Sequence, residues 1–215
     1  MATSRLKIYN EALRLCGETP LASLTENRQA RYDLDSVWDN DGVKNCLSEA
    51  QWKFARKSVM LDFDPAYNPE FGYRRAFAKP DDWCATMAVC NDEYFNSPLL
   101  QYLEENNFWY CDLDILYVQF VSNANDYGGD LSLWTPKFAD FVAAHFAFKI
   151  INTLTSDDNK QKTVFGLRKI ALKDAANLDS MSDPTKFPPD GSWVNSRRGR
   201  GNARRDRGSR NSLIG

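Results

Sequence analysis

The sequence predicts a mainly α protein: a helical bundle with a small antiparallel β insertion and an extended C-terminal arm. Three observations lead there. Apolar residues recur at steps of three and four through roughly the first 55 residues and again from about 135 to 180. Between those regions Pro65, Pro69, Pro80 and Pro98 punctuate short runs of β-forming residues, and the helical period disappears. After Met181 the chain is rich in Pro, Gly, Ser and Arg, with too few apolar side chains to build a core. The segments expected are residues 1–59 as N-terminal helices, 60–130 as the β-rich insertion, 131–182 as a helix hairpin completing the bundle, and 183–215 as the arm. A chain of 215 residues and 24.6 kDa suits one domain with an insertion or tail.

The first helix starts after Thr3 or Ser4, either of which can cap free amides. It carries Leu6, Tyr9, Leu13 and Cys16 on one stripe and stops at Gly17. A turn at Glu18-Thr19-Pro20-Leu21 leads to a long helix from about Thr25 to Phe54. Its apolar residues are Ala30, Leu34, Val37, Leu47, Ala50 and Phe54, and a polar gap at Asp39 to Gly42 marks where a kink or split would fall. In the insertion, Cys84–Cys90, Leu99–Leu103, Phe108–Cys111 and Ile115–Val121 are the strand candidates of a single small sheet. Asn106-Asn107 suits the positive φ of a tight hairpin turn. Helix returns at Thr135-Pro136, a cap followed by proline at the first position, and runs through Phe138, Phe141, Val142, Phe148, Ile151 and Leu154. After a turn at Ser156-Asp157-Asp158, the last helix shows Val164, Leu167, Ala171, Ala175 and Leu178 on one face, so the two helices should pack antiparallel.

The residue types argue against most chemistries. The single histidine, His145, falls at the 138, 141, 145, 148 spacing of a buried face and reads as a hydrogen-bonded core or interface residue; one histidine also forbids a multi-histidine metal site. The five cysteines, Cys16, Cys46, Cys84, Cys90 and Cys111, contain no C-x-x-C pair and read as reduced core filling. Gly199-Arg200-Gly201 follows no strand and precedes no Walker lysine, so no phosphate loop is present. The carboxylates Glu104-Glu105 and Asp112 with Asp114 could be written as a glycosidase acid pair, but charges at strand ends ordinarily discourage edge-to-edge aggregation. No catalytic residue, metal ligand or cofactor is expected. The most apolar stretch, 138–151, is broken by Asp140, His145 and Lys149 and is too short to span a bilayer. The N-terminus lacks the apolar core of a secretory signal, so synthesis and assembly in the cytoplasm are expected.

Charge is unevenly spread. The chain has 27 basic and 29 acidic residues, yet residues 196–215 hold seven arginines against one acid. The body is therefore acidic and the tail basic. Arg rather than Lys favours planar, bidentate recognition of carboxylate or phosphate, so the tail reads as a docking arm made of Arg197, Arg198, Arg200, Arg204, Arg205, Arg207 and Arg210, with Phe187 and Trp193 as aromatic anchors. A solubilising tail and a DNA-binding tail are the other readings. An acidic body offers no continuous basic groove for the latter.

These pieces, in order, resemble a known family: the head-to-tail adaptor of short-tailed bacteriophages, called tail tubular protein A. The opening segment IYNEALRLCGETPLASLTENRQAR carries an N-x-x-L-x-x-x-G-E-x-P-x-x-S-L pattern at Asn10, Leu13, Gly17, Glu18, Pro20, Ser23 and Leu24. Ala50-Gln51-Trp52-Lys53-Phe54 gives an A-x-W-x-F signature. Asp114 to Val118 is similar to the family's last strand, Trp134 to Phe138 to the start of a later helix, and 147–154 with 164–176 to its closing hairpin. The likeness spans about residues 5–196. It implies a virion structural protein without enzymatic activity, at the head–tail junction and assembled in the host cytoplasm. It also implies a ring of twelve copies with the portal protein on one side and a nozzle similar to tail tubular protein B on the other. Genomic DNA would pass through the lumen without specific binding, and no membrane is involved. The arm would grip the portal. Two rival expectations are a virion-associated peptidoglycan hydrolase of glycosidase type and a DNA-binding module acting through the arginine tail; for the former no catalytic motif matches residue by residue.

Overall fold

The computed structural model describes residues 3–182, apart from 68, 70, 71, 96, 97 and 156. The proposed arm residues Phe187, Trp193, Arg197, Arg198, Arg200, Arg204, Arg205, Arg207 and Arg210 lie outside the described residues. The expected mainly α bundle is corrected: the chain is 44% helical and 20% strand, a mixed α/β fold with two three-stranded antiparallel sheets among the described residues.

Helix α1 (Arg5–Cys16) is capped by Ser4, whose hydroxyl accepts from the Lys7 amide, and ends at Gly17 with φ 78. Ile8, Tyr9, Ala12, Leu13 and Cys16 form its buried stripe. The expected long helix is shorter and broken: α2 (Gln29–Val37) passes through a wide turn at Trp38–Gly42 into α3 (Val43–Ser48). The break is at Asn40 and Asp41, the latter at φ 59. Gly42 follows because a Cβ there would sit 2.4 Å from the Val37 carbonyl oxygen and 3.0 Å from Phe146.

A short 3₁₀ turn at Lys53–Ala55 launches β1 (Arg56–Asp62), followed by β2 (Arg75–Ala78), β3 (Trp83–Cys90), β4 (Leu103–Glu105), β5 (Phe108–Cys111) and β6 (Ile115–Ser122). One sheet has the order β1-β6-β3 and the other β2-β5-β4. Two of these strands, β1 and β2, fall outside the expected set, and the strand expected at 99–103 is displaced to 103–105. The displacement is local. The turn expected at Asn106-Asn107 does join β4 to β5, with Asn106 at φ 50.

Alternation along the strands explains why two sheets form where one was expected. Leu116, Val118 and Phe120 of β6 and Val89 of β3 point at Phe77, Trp109 and Cys111 of the second sheet, making a closed core between them. Thr86 stitches that core: its hydroxyl accepts from the indole N–H groups of both Trp83 and Trp109, each at 3.1 Å. Val121 and Cys84, at one end of the first sheet, instead join the helical core.

Helix α4 (Pro136–Leu154) is the hub of that second core. Thr135 caps it, and Phe138, Phe141, Val142, Phe146, Ile150 and Ile151 are buried along it. Trp134, Trp52 and Phe54 surround Phe138 with ring centroids 4.7–4.9 Å away. Burying each such ring contributes about 2–3 kcal/mol, so this aromatic knot is a principal source of stability. Helix α5 (Asp158–Ser180), capped by Asp157, packs along α4.

Candidate interaction surface

The residues that carry the family resemblance are, in this fold, structural. The Asn10 carboxamide brackets Leu21, donating to its carbonyl at 3.1 Å and accepting from its amide at 2.7 Å, and so folds the loop after α1 back on the helix. Gly17 and Glu18 close the helix end onto Arg14 and Leu13. Trp52 donates to the Cys46 carbonyl at 3.0 Å, and Trp134 to that of Gly128 at 2.8 Å. The motif thus specifies caps and packing.

His145 is buried on α4. Arg168 of α5 donates from Nε to its Nδ1 at 3.0 Å and also pairs with Glu49 after α3. Because Nδ1 accepts, the ring proton sits on Nε2, which has no hydrogen-bond partner among the described residues. Burial, then the Arg168 and Lys149 charges, push the imidazole down to about 4. His145 is therefore a neutral acceptor tying three helices together and is unsuited to proton transfer near pH 7.

The acidic pairs singled out in the sequence also have structural partners. Glu104 accepts from Lys79 at 2.9 Å, and that lysine, itself buried, also donates to the Asn106 carbonyl and lies 4.0 Å over the Trp83 ring. Asp112 accepts from the Arg74 amide, and Asp114 pairs with Arg75 at 3.0 Å. Glu105 ends β4 in an exposed position. Two acids the sequence did not single out are more deeply engaged. Asp82 is hindered from ionising by burial, but hydrogen bonds from Lys57 at 2.7 Å and Ser122 at 2.5 Å outweigh that and hold its pKa below the ordinary value. Asp179, buried at the end of α5, accepts from the Lys53 amide at 3.0 and 3.2 Å; burial raises its pKa despite those bonds.

A polar cleft of about 430 Å³ opens between α3 and the sheets, lined by Asp41, Lys44, Lys79, Asp81, Trp83 and Asn107. Cys84 borders it, but burial pushes that thiol up to about 11, away from the thiolate a nucleophile requires. All five cysteines are buried and unpaired. Among the described residues no group of three or more His, Cys, Asp and Glu side chains could hold a metal ion, and no helix is long and apolar enough to cross a membrane.

What the fold does leave open is apolar surface. On α5 only Val164, Ala175 and Asp179 are buried. Leu167 is 39% exposed, Ile170 59%, Leu178 41% and Met181 79%, and their spacing of three, eight and three residues puts them on one stripe. The sequence face of Val164, Leu167, Ala171, Ala175 and Leu178 is thus split, half against α4 and half at its solvent rim. Ile170 and Met181 were the available signal, since they widen the apolar arc beyond one packing face. A second apolar patch lies on the outer face of the first sheet, where Met60 is 59% and Ile115 43% exposed. The register of β1 against β6 pairs Met60 with Tyr117 and Asp62 with Ile115, which sets these four side chains on the same side.

No family model matches this chain, and no curated protein matches it.

Proposed function

We propose that this chain is a structural ring subunit of the head-to-tail junction of a short-tailed phage virion, acting by shape between portal and nozzle while DNA passes through the centre. The observation that carries the reading is the apolar surface left open on α5 after the core is closed, because a subunit that works alone has no use for a row of exposed Leu, Ile and Met on its last helix. The ordered resemblance over residues 5–196 supports the particular junction and the partners: the portal, a nozzle protein and further copies of the chain. The acidic balance of the body suits a lumen past which phosphate must slide. In this reading the arginine arm docks on the portal through charge-assisted hydrogen bonds.

The test is to mix purified protein with purified portal at low salt and image the product, with light scattering to follow its mass. A closed ring on the portal is expected. Absence of any complex would refute the reading, as would turnover of peptidoglycan on a zymogram by the isolated chain. Removing residues 196–215 should abolish portal attachment and leave the melting of the body unchanged.

A further inference from the structure

We infer that the outer edge of β1 pairs, antiparallel and in a single register, with the same edge of a second copy of this chain. The contact is two-fold and stands apart from the ring reading, since two copies close it.

The four sheet edges are not alike. Strand β3 carries two register shifts and is covered at one end, where Cys90 bridges Pro98 and the Leu99 amide donates to the Val89 carbonyl at 2.7 Å. Strand β2 has four residues, and the Asp64 amide donates to its Ala76 carbonyl at 2.8 Å. Strand β4 has three residues, two of them Glu104 and Glu105. Bulges, short strands and charges are the ordinary means by which an edge is kept from pairing. The middle of β1 has none of them. It runs seven residues in unbroken register with β6, holds no proline, and presents Ser58, Val59, Met60 and Leu61 between its charged ends. Among the described residues no strand pairs with β1 on its other side, and from Lys57 to Asp62 the backbone makes no hydrogen bond outside the β6 ladder.

The charges at the two ends select the occupant. Arg56, Ser58, Met60 and Asp62 share the outer face of the sheet, while Lys57, Val59 and Leu61 stand beside Phe120, Val118 and Leu116 on the opposite face. A two-fold axis through Val59, perpendicular to the sheet, keeps each face on its own side. It sets Arg56 of one copy opposite Asp62 of the other, twice, with Ser58 opposite Met60 and Val59 opposite itself. A parallel pairing would instead oppose Arg56 to Arg56 and Asp62 to Asp62. Both charges are available for the antiparallel pair. Asp62 is exposed and has no hydrogen-bond or ion-pair partner among its side-chain contacts in the described residues. Arg56 lies toward Asp179, but that carboxylate is held by the Lys53 amide, and the guanidinium makes no ion pair among the described residues. The neighbouring charges are engaged within the chain: Lys53 with the Ser180 carbonyl, Lys57 with Asp82, Asp64 with the Ala66 amide, and Arg75, which lies over the Phe63 ring, with Asp114.

The size of the contact sets its strength. Seven residues of strand are about 24 Å long, and one sheet is about 10 Å thick, which gives about 240 Å² per partner. That is well under the roughly 800 Å² of a stable complex, so the dimer is weak and exchanges with monomer.

Charge exchange across the axis tests the register. Sedimentation equilibrium of the full chain at low salt and up to about 0.5 mM should show dimers that dissociate as salt is added. Arg56→Asp and Asp62→Arg each place like charges opposite one another twice, and each variant alone should raise the dissociation constant about tenfold or more. An equal mixture of the two variants, and the double variant, restore opposite charges at both ends and should return to within about threefold of wild type. Asp62 has no ion pair to lose, so Asp62→Arg keeps the fold, and circular dichroism checks each variant. Amide hydrogen exchange of residues 57–62 should slow as wild-type concentration rises. A wild-type chain that stays monomeric, single variants that dimerise as wild type does, or a mixture and double variant that fail to recover would each overturn the inference. Protection of residues 57–62 that does not change with concentration would overturn it too, because the edge would then be covered within one chain. Ring formation on the portal is scored separately: its failure sinks the ring reading and leaves this dimer.

Discussion

His145 gives the fold a built-in sensitivity to acid whose size follows from its surroundings. In the folded chain the imidazole is held down to about 4 by burial and by Arg168 and Lys149, whereas an unfolded chain has the ordinary histidine value of 6.5. A depressed histidine means that the folded state binds fewer protons than the unfolded state between those two values, so stability falls as pH drops through that window and is unaffected above it. Linkage over the interval costs about 2 kcal/mol by pH 5 and about 3 kcal/mol by pH 4, relative to pH 7.5. The assay is urea unfolding at fixed ionic strength across pH 7.5 to 5, on wild type and on His145→Asn. Asn retains an acceptor where Nδ1 receives Arg168 Nε and removes the titration. The variant should be less stable at pH 7.5, through lost ring packing against Phe141 and Phe146, but should lose about 2 kcal/mol less than wild type on going to pH 5. Parallel stability curves for the two proteins would refute the assignment of a neutral, buried acceptor.

Gly128→Ala should destabilise strongly, because the added Cβ would stand 2.4 Å from the Ser122 carbonyl oxygen and 2.8 Å from Leu47 Cδ1; a loss of about 2–3 kcal/mol is expected from overpacking, read as a lowered thermal midpoint. Asn10→Ala removes both hydrogen bonds to Leu21 and leaves its polar backbone atoms without their side-chain partner, which should cost about 1–3 kcal/mol, with proteolysis in the Glu18 to Arg28 loop as a second readout. Midpoints unchanged from wild type would contradict either account.

The helix ends were legible because their chemistry is local. Ser4, Gly17, Thr135-Pro136 and Asp157 each act within a few residues of themselves, and the structure uses each as the sequence suggests. The second sheet was not legible for the opposite reason. Strand β2 has four residues, and β1 has only Val59 and Leu61 as inward apolar positions; each becomes a strand by pairing with β5 or β6, 30 or more residues away. The helix expected to run to Phe54 ends at Ser48 because Trp52 and Phe54 turn into the Phe138 cluster, a tertiary demand that overrides the helical period. Of the surface features, the apolar arc of α5 could be drawn from spacing, but which half of it meets α4 depends on where the core lies. Asp179 gave no sign of burial, since its role is fixed by an amide at residue 53.

That last contact has a bearing on how the polypeptide is made. Asp179 and the Lys53 amide stand 126 residues apart, and Arg168 closes on Glu49 across a similar span. In order of synthesis, the residues of both sheets therefore come before the α5 groups that close on Glu49 and the Lys53 amide. The helical layer is thus closed by the residues made last, and until α5 docks, the α4 face that it covers, with Phe148 against Phe165, stays open for a chaperone to shield.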